Sequence, residues 1–231
     1  LALSDDLTAY VKATFQTRWE MRKGQAVPDP EKLKLTNNAI EFDRATVLYA
    51  DLSGSTSMVD SKTWTFAAEI YKAFLYCAAR LITDGGGEIT AYDGDRIMGV
   101  FIGGSQSTSA AKCALKINHA TKNIIMPALK VQYRETDFTL RHVVGIDTSP
   151  IRAARTGVRG DNDIVWVGNA ANHAAKLTEL DAGYPSWITG TLFNNLADDA
   201  KYTNKTLMWE KRLWTPMGNM EIYRSNWTWR V

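Results

Sequence analysis

Two acidic residues, far apart in the chain, carry the strongest chemical signal. Asp51 closes residues 45–52 (ATVLYADL), a short and mostly apolar run of β-formers that reads as a strand buried on both faces. Asp95 sits in Asp93-Gly94-Asp95, a tight turn between two predicted strands at 88–92 and 96–102. If these strands are neighbours, the carboxylates converge at one end of a sheet. Two carboxylates and an adjacent backbone carbonyl, such as that of Leu52, suit a pair of divalent ions about 3.5–4 Å apart, the arrangement used for in-line phosphoryl transfer. Hard oxygen ligands favour Mg2+ or Mn2+, two ions per site.

Between Asp51 and the next predicted helix lie Ser53, Gly54, Ser55 and Thr56. Small residues at a helix start leave backbone N–H groups free to cradle a β- or γ-phosphate. Taken singly, a Ser/Thr helix start and an Asp-Gly-Asp turn are ordinary features. Their combination raises the reading above either alone.

The elements that must position these groups follow from periodicity. Leu7, Tyr10, Val11, Phe15 and Trp19 recur at helical spacing before the Pro28-Asp29-Pro30 break, predicting an N-terminal amphipathic helix and linker over residues 1–40, followed by one catalytic domain over 41–231. Such a stripe packs on the fold or on a partner subunit. Further helices are predicted at 62–82, ended by Gly85-Gly86-Gly87, and at 107–126, ended by Pro127. Strands at 140–148, 151–155 and 164–167, a helix at 170–180, a strand at 187–189, a helix at 192–196 and strands near 207–213 and 220–224 complete the pattern. The expected fold is an α/β (α+β) sandwich, with a mixed sheet and helices to one side.

At this point four segments, in order, resemble the class III adenylate and guanylate cyclases. VLYADLSGST is similar to their first metal motif, VLFADIxGFT. GGGEITAYDGDRIMGVF is similar to the second, a Gly-Asp hairpin before a Met-Ala-Val-Phe type strand. VVGIDTSPIRAARTG resembles VGIHTGPVVAGVIG, and VGNAANHAAKL resembles WGNTVNxAARL. The match runs from about residue 45 to 180 and leaves the first forty residues uncovered. It implies a ferredoxin-like βαββαβ cyclase fold with a mainly antiparallel sheet, metal ligation by Asp51 and Asp95, Asn172 against the ribose, and Lys176 where the family usually has an arginine. It also implies a homodimer whose composite sites set the metal carboxylates of one subunit against the Asn and the basic residue of the other.

The base pocket departs from the purine pattern. Ala91 and Val165 stand where purine-using members of the family place a polar pair, and neither hydrogen-bonds a purine edge. Tyr49 replaces the usual Phe, adding one donor and one acceptor, although a core aromatic with a satisfied hydroxyl reads equally well. The family's C-terminal polyphosphate-binding lysine aligns with Met217, for which Lys211 or Arg212 is a candidate substitute. Together these departures resemble the pyrimidine cyclases of bacterial anti-phage (Pycsar) systems. That resemblance implies UTP as substrate and 3′,5′-cyclic UMP as product, a second messenger for a separate effector. CTP, a relocated purine pocket and an inactive nucleotide-binding domain are the alternatives.

The bulk properties exclude other classes. With 27 Lys and Arg against 25 Asp and Glu in 231 residues, no global field favours nucleic acid or an anionic membrane, so a triphosphate site must be local. Cys77 and Cys113 fall in apolar helical runs, as free thiols of a reducing compartment do. His119, His142 and His173 are too scattered to suggest zinc. Without a span-length apolar run or a signal-like start, the expectation is a cytoplasmic protein.

Overall fold

The computed structural model describes residues 2–231. Helix α1 (Leu3–Gln16) and strand β1 (Glu20–Lys23) lead into the long strand β2 (Asn38–Ser53). Helices α2 (Ser55–Ser61) and α3 (Trp64–Asp84) precede the hairpin of β3 (Gly87–Asp93) and β4 (Arg96–Phe101). Next come α4 (Gln106–Ala120) and α5 (Met126–Gln132), then the ribbon of β5 (Arg141–Val158) and β6 (Asp161–Val167), and α6 (Asn169–Leu177). The remainder is β7 (Ser186–Thr189), α7 (Gly190–Asn194), α8 (Asp198–Lys201), the small pair β8 (Tyr202–Thr203) and β9 (Thr206–Leu207), β10 (Glu210–Trp214) and β11 (Met220–Ser225).

The main sheet runs β10-β11-β7-β5-β2-β4-β3, with β1 added to β2 and β6 to β5. Its pairs are antiparallel except β5–β7 and β1–β2. Side chains alternate across β2: Leu48, Ala50 and Leu52 join the core under α3 and α4, whereas Val47 joins the cluster under α6. Helices therefore cover both faces, which corrects the expectation of helices to one side. The first cluster fully buries Phe74, Phe101, Ile70 and Leu115, each contributing roughly 1.5–3 kcal/mol.

Glycine at 145 is a packing requirement. A Cβ there would lie 2.2 Å from the Ala174 carbonyl oxygen and 2.7 Å from Leu177 Cβ, so α6 crosses β5 at a distance that only a missing side chain permits.

Three element boundaries differ from expectation for local reasons. The turn predicted before residue 62 contains a separate short helix, α2; Lys62 is extended and Thr63 caps α3, its hydroxyl accepting from the Phe66 N–H at 3.3 Å. Pro127 does not end a helix. A π-helical turn over Thr121–Ile125 shifts the register so that Pro127 falls in the first turn of α5, where its missing N–H costs nothing. The two strands predicted at 140–148 and 151–155 are the single β5: the register shift between Phe42 and Ala45 on β2 lies opposite Pro150, where the ladder lacks a donor. Strand β1 has the composition Glu-Met-Arg-Lys with all four residues exposed, so no alternation announced it.

Candidate active site

β2 and β4 pair with Ala50 opposite Ile97, so one further step sets Asp51 beside the turn that carries Asp95. The two carboxylates are close enough to act on each other. Burial first, and then the negative charge of Asp95, push the Asp51 carboxyl up to about 6, against the opposing pull of Arg96 and a hydrogen bond from the Leu52 N–H. Asp95 keeps one buried carboxylate oxygen with no hydrogen-bond partner. Mutual repulsion and an orphaned buried oxygen are both relieved by a cation, so the donors fit a divalent ion. Among the described residues no group of three or more His, Cys, Asp or Glu side chains is placed to hold a metal. Two carboxylates therefore leave most of a coordination shell to backbone, water and substrate phosphate oxygens, as Mg2+ prefers.

Beyond Asp51 the chain turns at Gly54, whose φ of +78° is a left-handed conformation. Ser55 and Thr56, expected in a loop, are the first residues of α2, and no side chain caps that helix. Its first-turn N–H groups, next to Ser53, follow Asp51 closely in the chain.

The base-pocket candidates divide. Met98 on β4 stands opposite Tyr49 on β2 and opposite Ala91 on β3, so these three form one cross-strand row, continued by Gly145 on β5. Tyr49 and Ala91 pack against the cluster under α6. Val165 lies on β6 opposite Ala154 and is exposed; its neighbours Ile164 and Trp166 join that cluster, but Val165 does not. Sequence reasoning missed Arg96. Its guanidinium sits 5.5 Å from the Tyr49 ring centroid and 3.1 Å from Asp93, and it is the positive charge that Asp51 feels within its own subunit. The available signal was its place next to Asp95.

Asn172 and Lys176 are exposed one turn apart on α6. Lys176 Nζ lies 3.9 Å from Met217 Sδ, whereas Lys211 and Arg212, the candidate substitutes for Met217, are engaged by Glu221 and Glu210. The helix is held from beneath. The Ala170 N–H donates to Ser149 Oγ at 2.9 Å, and His173 Nδ1 lies 2.8 Å from Asp147 Oδ2, while the Thr189 hydroxyl donates to the other oxygen of that buried carboxylate. This His–Asp pair was also missed in the sequence. Asp147 stands where the resembled segment has histidine, but only the fold shows the imidazole returning from residue 173. The other histidines stay apart from the site: His142 is buried against Phe74, its pKa lowered by burial to about 3, and His119 meets Asn123.

No family model matches the chain. Its fold matches the solved structures of the adenylyl cyclase CyaB from P. aeruginosa (TM-score 0.65, 19% identity, covering 81% of this chain and 95% of that one) and of the guanylyl cyclase Cya2 (TM-score 0.67, 18% identity, 80% and 93%). Carboxylates at the end of β2 and in the β3–β4 turn, with α6 on the same sheet, thus sit on a class III nucleotidyl cyclase fold. Along its whole length the chain is 56% identical to a protein named uridylate cyclase from Burkholderia cepacia, with 100% of both chains covered, and 52% identical to one of the same name from Xanthomonas perforans, again with 100% of both covered. The chain belongs to this uridylate cyclase family and is a nucleotidyl cyclase.

Proposed function

We propose that the chain converts UTP to 3′,5′-cyclic UMP and pyrophosphate with two divalent ions, Mg2+ or Mn2+, at each composite site of a homodimer. The observation that carries this reading is the convergence of Asp51 and Asp95 beside the cross-strand row that contains Tyr49 and Ala91. The names of the full-length relatives support uracil as the base. Asp51, Asp95 and the Leu52 carbonyl hold the ions, which supply a lowered 3′-hydroxyl pKa and neutralise the leaving pyrophosphate. The N–H groups at Ser53–Thr56 receive the polyphosphate. Tyr49 offers its hydroxyl to the pyrimidine, Ala91 supplies no partner for a purine edge, and Val165 lines the outer rim of the pocket.

Asn172 and Lys176 come from the other subunit, Asn172 orienting the ribose and Lys176 setting a point charge against the negative charge that grows on the α-phosphate. Pairing is supported by the place of Asn172 and Lys176, both exposed on α6 and so open to another subunit. On this reading the product is a second messenger in bacterial anti-phage defence, sensed by a separate cyclic-nucleotide-activated effector in the cytoplasm. Among the described residues no helix is long and apolar enough to cross a membrane.

The test is incubation with each of the four ribonucleoside triphosphates and Mn2+ or Mg2+, with products resolved by mass spectrometry. Cyclic UMP should dominate from an equimolar mixture. Dominant cyclic CMP would move the base assignment, and a purine product or none would overturn the reading.

A further inference from the structure

Helix α1 contributes no side chain to any core. Leu3, Leu7, Tyr10, Val11 and Phe15 are exposed, from 50% at Val11 to 85% at Phe15, and Trp19 just beyond extends the stripe. Yet α1 is not a loose tail. The buried Asn37 side chain donates to the carbonyls of Thr14 at 2.7 Å and Thr17 at 2.8 Å, and the Glu20 N–H donates to Asn37. These bonds pin the C-terminal end of α1 at the root of β1, which pairs with β2, the strand that carries Asp51. The helix is aimed outward by a built anchor.

We infer that this apolar face is buried against a second copy of the same chain and forms part of the dimer interface; the inference rests on the composite-site reading. Size argues for it. Covering six large side chains at these exposures on both copies removes about 1,200 Å² from water, the lower bound of a stable specific interface. The polar side argues against a membrane as occupant, because α1 carries Asp5 and Asp6 against Lys12 alone, which does not suit an anionic bilayer. A two-fold dimer presents the same patch twice, so one self-complementary surface suffices.

The test is sedimentation velocity of the full chain over a concentration series, comparing wild type, the triple variant Leu7→Gln/Val11→Gln/Phe15→Gln, and the polar-face control Lys12→Gln. Glutamine keeps the helix propensity. The dimer dissociation constant should rise by about tenfold or more in the triple variant and stay at the wild-type value in the control. A wild-type dimer whose dissociation constant is unchanged in the triple variant overturns this inference and leaves the composite site standing. A wild type that is monomeric throughout, with and without Mn2+ and UTP, sinks the dimer reading itself. Flotation with phosphatidylglycerol vesicles that is lost in the triple variant, at unchanged self-association, assigns the face to a membrane and likewise overturns the inference.

Discussion

Replacing Asp51 by Asn should abolish turnover and, without metal, make the protein more stable. An ordinary Asp carboxyl titrates near 3.8, and that of Asp51 in the fold near 6. A carboxyl whose folded pKa is raised binds more protons in the native state, so stability falls as pH rises between the two values. Below 3.8 both states are protonated and Asp51 costs nothing; above about 6 both are ionised and the full penalty applies. The interval corresponds to at most about 3 kcal/mol. Because Asp51 keeps part of its surface in water, the realistic figure is about 1–2 kcal/mol.

The assay is thermal unfolding of both proteins in a chelator, at about pH 8 and about pH 3.5. At about 2–4 °C per kcal/mol for a chain of this size, the variant should melt about 3–6 °C above wild type at the higher pH, and the difference should vanish at the lower one. Added Mn2+ should raise the wild-type midpoint by mass action and leave the variant unmoved. A variant no more stable than wild type at high pH, or a gain independent of pH, would refute the claim that burial and the charge of Asp95 hold the Asp51 carboxyl above its ordinary range.

Three further outcomes follow from the same geometry. Gly145→Ala places a methyl against the Ala174 carbonyl, so α6 must shift; unfolding should be eased by about 1–3 kcal/mol and kcat should fall about 100-fold, read by calorimetry and steady-state kinetics. His173→Ala strips the Asp147 carboxylate of its α6 partner, which should cost about 1–3 kcal/mol and lower kcat at nearly constant KM, with His173→Asn recovering part of both. Asp51→Ala and Lys176→Ala, each inactive alone, should regain up to about a quarter of wild-type activity after mixing and exchange, since half of the dimers are mixed and each carries one intact site; no recovery despite proven exchange would place both residues in one subunit's site.

The sequence showed what was local and missed what was distant. Asp51, at the end of an apolar run, and Asp95, inside an Asp-Gly-Asp turn, were legible because a buried strand and a tight hairpin each leave a local pattern. The class followed from four short segments in order. Arg96 went unread because its neighbour Asp95 already explained the turn, and its reach to Tyr49 depends on strand pairing. The Asp147–His173 contact joins β5 to α6 and needed Gly145 to bring the two together. The course of the chain past Pro127 was misjudged because a proline rule assumes an unbroken α-helical register, which the π turn changes.

Lys176, Lys211 and Arg212 differ in how far their charge is already engaged. A cation already satisfied by a carboxylate must break that pair before it neutralises a phosphate, and the desolvated carboxylate left behind raises the cost. Lys211 and Arg212 are in that position, held by Glu221 and Glu210. Lys176 touches only the thioether of Met217, a weak acceptor without charge, and no carboxylate pairs with it among the described residues. Methionine at 217, where the resembled family has a lysine, therefore does two things: it removes a second ammonium that would repel Lys176, and it offers an apolar, polarisable rest for the Lys176 chain. A Met217→Lys variant should therefore not add rate, read by steady-state kinetics, because the new charge would stand within a few ångströms of Lys176.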